Sequence, residues 1–250
     1  MFKAVMDSTK AWKQIVDAIA TMLTEAQFVA NESGLSLRQM DSSKAAMVDI
    51  FLPDKIFQEY HCDDEQKICL GVDELSRTSK RMSADDKLEF SVNEAEKRFY
   101  IRMIGQAERL FKLPMLTPPP DQPKKPSSEL DVKAEMHSEG FKQAVKDISV
   151  VSSYVKISAD ATTLVFTGEG DTGEAEVSLK VGEESDLFDL KSKGPSTAMY
   201  ALSYLSEITK AISGDTLVLR FSSSRPLILE SEIAEGGRLT FVLAPRVERR

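Results

Sequence analysis

Histidine and cysteine are scarce in this 250-residue chain, with two of each, and there is a single tryptophan. Each shortage closes off a class of function. Two cysteines, Cys62 and Cys69, are too few for a disulfide framework, and in a reducing compartment they read as ordinary strand residues. Grouped with His61, Cys62, Asp63 and Asp64, Cys69 matches no common zinc spacing, so no metal site is expected. With His61 and His137 the only imidazoles, a serine or cysteine triad has few bases to draw on. No run approaches the ~18 apolar residues of a membrane span, and the first residues lack the apolar core of a secretory signal, so a cytoplasmic protein is expected. Apolar residues at 42 % and charged residues at 29 % are ordinary for a globular chain of net charge −8. GEGDTG, residues 168–173, satisfies G-x-G-x-x-G, yet it precedes the strand-like EAEVSL and its own carboxylates would repel phosphate. It reads as a hairpin turn.

What is present is a repeat. KAVMDSTKAWKQIV from Lys3 returns as KAEMHSEGFKQAV from Lys133: Lys3, Ala4, Met6 and Ser8 match Lys133, Ala134, Met136 and Ser138 at an offset of 130. After a one-residue deletion, Trp12, Lys13, Gln14 and Val16 face Phe141, Lys142, Gln143 and Val145 at an offset of 129. LSRTSKRMSAD from Leu75 then lines up with LSEITKAISGD from Leu205, again at 130. Two blocks recurring in order at one spacing imply a duplicated domain, each copy large enough for its own core.

Both copies carry one coarse pattern. A strand (Phe2 to Met6, or Asp131 to Met136) leads into a helix with apolar residues three and four apart: Trp12, Ile15, Val16 and Ile19, or Phe141, Ala144, Val145 and Ile148. Short β runs punctuated by turns follow, then a second helix, about Asp73 to Met82 or about Thr197 to Ile212, and closing strands. The fold class is α+β, two similar domains of antiparallel sheets with helices. Six of the ten prolines lie in PMLTPPPDQPKKPSS, which reads as an exposed, semi-stiff connector over 114–128 between domains 1–113 and 129–250.

Taken over these expected helices, charge is segregated. The first three carry +1 each and the last zero, so subtracting their +3 from the chain's −8 leaves −11 elsewhere. Lysines on an amphipathic helix ordinarily just face water. Four helices with the same tendency in an acidic protein point to a locally positive surface that meets a polyanion.

LRQMDSSKAAMVDIFLP, residues 37–53, resembles the Met-Asp-Ser-Ser stretch of the archaeal and eukaryotic DNA sliding clamps, the proliferating cell nuclear antigen (PCNA) family. The terminal LAPRVE, residues 243–248, is similar to that family's Leu-Ala-Pro-Lys/Arg-Ile ending. MFKAV, GVDELS and PLILESEIAEGGRLTFVLAP extend the resemblance, which is of the archaeal type, over essentially the whole chain. It implies the DNA clamp fold: a two-domain protomer, three of which close head to tail into a ring with helices lining the hole, and no enzymatic activity or cofactor.

The resemblance also implies sites. Lys10, Lys13, Arg77, Lys80, Arg81, Lys142, Lys146 and Lys210 would face the backbone of encircled double-stranded DNA, without reading sequence. Ser203 stands where many relatives are basic, so the fourth helix contributes less. A PIP-box pocket would be built from Met40, Lys44, Ala45, Met47, Pro226, Ala244, Pro245, Arg246 and Val247, with Met115 and Leu116 from the connector, whose proline-rich sequence departs from the usual acidic, aliphatic one. It would receive PIP-box proteins such as DNA polymerase, flap endonuclease and DNA ligase, while a clamp loader opens the ring. Subunits would meet through edge strands holding Arg109, Phe111, Val177 and Leu179. The expected particle is a homotrimer in the cytoplasm, associated with the nucleoid. Two rivals stay open: a subunit of a heterotrimeric or checkpoint-type clamp, and a metal-dependent hydrolase.

Overall fold

Ser8 opens the first helix. Its hydroxyl accepts the Ala11 amide at 3.1 Å, satisfying one donor that a helix start leaves unpaired. Trp12, Ile15, Val16 and Ile19 then fall on one buried face. The computed structural model describes residues 1–118, 123–124, 129–171 and 173–246. The first half of the chain runs β1 (Phe2–Met6), α1 (Thr9–Ala20), β2 (Glu25–Asn31), β3 (Gly34–Met40), β4 (Ala46–Pro53), β5 (Glu59–Cys62), β6 (Gln66–Gly71), α2 (Val72–Ser79), β7 (Lys87–Asn93), β8 (Arg98–Ile104) and β9 (Glu108–Pro114). The second runs β10 (Val132–His137), α3 (Ser138–Ile148), β11 (Tyr154–Ala159), β12 (Thr163–Gly170), β13 (Gly173–Lys180), β14 (Leu187–Ser192), β15 (Ser196–Ala201), α4 (Leu202–Ala211), β16 (Thr216–Phe221), β17 (Leu227–Ile233) and β18 (Gly237–Leu243). In both halves a helix follows the first strand and the sixth. The repeat seen in the sequence is a repeat of elements.

Packing divides the chain into two units. One comprises Met1–Ser42, Val48–Lys124 and Ile233–Leu239, the other Ser43–Met47, Lys125–Glu232 and Thr240–Arg250. The first holds an antiparallel sheet in the order β5-β1-β7-β8-β9 and a second layer ordered β4-β3-β2-β6. In the second unit the orders are β14-β10-β16-β17 and β13-β12-β11-β15. Each core is anchored by the aromatic residue that the repeat puts on its first helix. Trp12 packs against Phe90 with ring centres 4.4 Å apart and against Phe28 at 6.3 Å, while Phe141 meets Phe166 edge-on at 6.0 Å. β12 and β13 form a hairpin whose last pair is Gly170↔Gly173.

Three boundaries differ from the sequence reading. α2 ends at Ser79, not Met82, because its last turn tightens: Arg81 N donates to Thr78 O and Met82 N to Ser79 O, and Asp86 Oδ2 then captures Ser83 N at 2.6 Å. Residues 196–201 are strand, with Ser196, Ala198 and Tyr200 buried in alternation and all six paired to β11. α4 therefore begins at Leu202, not Thr197. α3 begins at Ser138 rather than at Gly140, the expected start that gives it +1, and so takes in Glu139. On these bounds α1 carries +1, α2 −1, and α3 and α4 zero, so the helices sum to zero rather than +3. The positive excess on the helices disappears, and the −8 lies outside them. Part of the expected connector, 119–122 and 125–128, lies outside the described residues.

Candidate nucleic-acid interface and partner pocket

In the first unit α1 packs on α2. Lys13 Nζ donates to Met82 O at 3.0 Å, tying α1 to the turn that follows α2. Arg77 reaches back along its own helix to Glu74 at 2.9 Å. Lys10, Lys80 and Arg81 are exposed and form no ion pair among the described residues. In the second unit α3 packs on α4. Lys142 lies 4.0 Å from Glu139 and Lys210 2.6 Å from Glu207, while exposed Lys146 forms no ion pair among the described residues. These exposed pairs hold little energy, so a phosphate can take the cation from its partner at small cost. The eight residues thus divide into four free cations (Lys10, Lys80, Arg81, Lys146) and four already engaged.

The pocket residues fall into two groups by unit. Met40 ends β3 and is 40 % exposed. Met115 and Leu116 are half-buried and pinned by their backbones, to Lys97 O at 3.0 Å and Cys69 O at 2.8 Å. In the second unit Lys44 adopts φ +60°, the left-handed region, beside half-buried Ala45. Ala244 N donates to Ala45 O at 2.8 Å, Arg246 N donates to Met199 O at 2.7 Å, and the Arg246 guanidinium sits 3.4 Å from the centre of the Tyr154 ring. Pro226 and Pro245 are half-buried. Met47 is only 4 % exposed, a core side chain of β4 rather than an open wall. Val247 lies outside the described residues.

The edge residues are placed as strands require. Val177 and Leu179 pair with Phe166 and Leu164 and leave the far side of β13 unoccupied among the described residues. Phe111 is half-buried on β9. Arg109 forms an ion pair with Asp86 and donates to Arg81 O at 2.7 Å, so it braces its own strand from within.

Residues 1–111 match the family model described as proliferating cell nuclear antigen, N-terminal domain, and residues 124–246 match the C-terminal one. The DNA polymerase sliding clamp of Thermofilum pendens is 38 % identical over 99 % of this chain and 100 % of its own. The chain belongs to the PCNA family. The sliding clamp of Pyrococcus horikoshii is 34 % identical over 99 % of each chain. Crystalline PCNA from Thermococcus kodakaraensis superposes with a TM-score of 0.92 at 26 % identity, covering 98 % of this chain and all of that one. A PCNA2–PCNA3 complex from Sulfolobus tokodaii shares the fold at TM-score 0.88 and 22 % identity, covering 98 % of this chain and 99 % of that one. The function is that of a sliding clamp, a processivity factor that encircles DNA and binds replication factors without catalysing a reaction itself.

Loss of solvation on burial pushes both the Cys62 and Cys69 thiols up, away from the reactive thiolate. Among the described residues no three histidine, cysteine or carboxylate groups cluster as metal ligands, and no helix is long and apolar enough to cross a membrane. Two residues that were not among the expected site residues meet at the Met-Asp-Ser-Ser loop: Tyr204 Oη lies 2.7 Å from Ser43 Oγ. They are 161 positions apart, so no local pattern could join them.

Proposed function

We propose that this clamp is a homotrimer of two-domain protomers, 1–113 and 129–250 joined through 114–128. It encircles duplex DNA with Lys10, Lys13, Arg77, Lys80, Arg81, Lys142, Lys146 and Lys210 toward the phosphates. Backbone contacts carry no sequence information, so such a ring slides, and it stays on DNA by topology. A clamp loader opens it in the cytoplasm, at the nucleoid. PIP-box proteins of the polymerase, flap endonuclease and ligase kinds dock at Met40, Lys44, Ala45, Met115, Leu116, Pro226 and the Ala244–Val247 tail.

The observation that carries the closed ring is a mismatch between equivalent strands. β4 and β18 are neighbours within one chain. The strand of the second half equivalent to β4 is β13, and the strand of the first half equivalent to β18 is β9. Both β13 and β9 end their sheets. An open edge invites pairing, and β9 offers Leu110 at 41 % exposure beside half-buried Phe111. Joining β9 of one copy to β13 of the next repeats the β18–β4 neighbourhood at each junction, a head-to-tail contact that closes into a ring. A second reading, with non-identical clamp subunits, is favoured by the likeness to the PCNA2–PCNA3 complex.

Light scattering of the purified chain tests this. Three times the 27.8 kDa protomer is expected, and Leu110→Asp should return the mass to that of a single chain. A wild-type monomer would remove the homotrimer and leave the mixed ring. Loaded on nicked circular DNA, the wild type should survive a salt wash and leave when the circle is linearised.

A further inference from the structure

α4 buries Leu202, Leu205, Ile208 and Ala211 along one stripe. Tyr204 stands off that stripe, half-buried, with its hydroxyl 2.7 Å from Ser43 Oγ. The same Ser43 Oγ accepts the Ala45 amide at 3.3 Å, which brackets Lys44 in its left-handed conformation. A lysine holds that conformation only where its neighbours impose it. Ala45 O accepts Ala244 N at 2.8 Å, and two residues on Arg246 N donates to Met199 O at 2.7 Å. Met199 lies on β15, three residues ahead of α4. The path therefore returns to where it began: helix side chain, loop hydroxyl, loop backbone, tail backbone, strand, helix. Both pocket segments of this unit, the Lys44–Ala45 loop and the Ala244–Arg246 tail, hang on that circuit.

We propose that Tyr204 and Ser43 are positioning residues of the partner-peptide pocket: their hydroxyl pair fixes the Ser43 rotamer, hence the Lys44 turn, hence the direction in which Ala45 presents its carbonyl to the tail. This rests on the pocket assignment above. Neither hydroxyl needs to touch the peptide. Their work is done before it arrives, by holding Ala45, Ala244 and Pro245 in the arrangement that a docked apolar side chain requires, so that less order has to be imposed on binding.

The probe is a fluorescein-labelled synthetic PIP-box peptide titrated with the full chain by fluorescence polarisation. Tyr204→Phe and Ser43→Ala should each weaken binding about three- to ten-fold, the worth of one hydrogen bond. The double variant should bind no more weakly than the weaker single, because both changes break one link. Ser43→Thr keeps the hydroxyl and should bind as wild type. Melting temperatures should stay within about 2 °C of wild type, since both hydroxyls are near solvent. Losses that multiply in the double variant, or that accompany a large fall in melting temperature, would overturn the proposal in favour of separate or general structural roles. Met40→Glu, at an exposed pocket position, separates this proposal from the assignment beneath it. If Met40→Glu loses the peptide while Tyr204→Phe and Ser43→Ala bind as wild type, the positioning role is wrong and the pocket stands. If all three bind as wild type, the pocket lies elsewhere and the positioning role falls with it.

Discussion

Removing the Arg109 guanidinium should cost more than its place on a surface strand implies. Arg109 is 33 % exposed, but the Asp86 carboxylate it pairs with is only 3 % exposed. Asp86 Oδ2 also accepts Ser83 N at 2.6 Å, and Arg109 donates a second bond to Arg81 O at 2.7 Å. Breaking a fully buried ion pair costs about 3–5 kcal/mol because the remaining charge is left without a partner. Water reaches the arginine end, which lowers the expectation for Arg109→Met to about 2–3 kcal/mol. Lys112, on the same strand with its ammonium 5.0 Å from the centre of the Tyr100 ring, provides the control: Lys112→Met should stay within about 0.5 kcal/mol. Urea unfolding of the three proteins, followed by circular dichroism, measures both. Because the cost is that of a stranded carboxylate, Asp86→Asn on top of Arg109→Met should recover part of it. An Arg109→Met variant as stable as Lys112→Met, or a double variant less stable than Arg109→Met, would refute the reasoning.

Among the lysines and arginines offered to DNA, the unpaired ones should count most. Lys80→Gln should lower the slope of log K against log salt on linear duplex by about 0.9, and Arg77→Gln by less, because the Arg77 guanidinium is already shared with Glu74. Equal slopes for both variants and wild type would take α2 off the DNA face. At the β2–β3 turn Gly34 has φ +136°, and an added Cβ would lie 2.1 Å from Leu52 O, a backbone atom that cannot step aside. Gly34→Ala should therefore cost about 3 kcal/mol in the same urea assay, while Gly194→Ala, with open space around it, should be near neutral.

Duplication, fold class and family were legible in the chain because each rests on residues that repeat or cluster along it. Trp12 and Phe141 are aligned by the repeat and anchor the two cores. Boundaries were harder. STAMYALSYLSEITKAI changes from a two-residue to a three-and-four-residue apolar rhythm at Leu202, and only the pairing of residues 196–201 with β11 decides where the strand stops. Met47 shows a further limit: its place in an apolar run fits core and pocket wall alike, and burial to 4 % exposure separates the two. Asp86 with Arg109, and Ser43 with Tyr204, were invisible because each contact joins residues that neither a helical nor a strand rhythm connects.

The loss of the positive excess on the helices is itself informative about how such a ring works. Helices summing to zero inside a chain of −8 cannot hold a duplex by bulk attraction, and the net repulsion weakens any open complex. A protein that relied on affinity would need the opposite balance, with many phosphate contacts and the steep salt dependence they bring. A ring that cannot fall off needs only enough local cation to keep the duplex from pressing on its carboxylates. In the proposed arrangement Lys10, Lys80, Arg81 and Lys146 would supply that, while Glu74, Glu139 and Glu207 hold Arg77, Lys142 and Lys210 in weak pairs that a passing phosphate would open at small cost. Weak contact is then what lets the ring move.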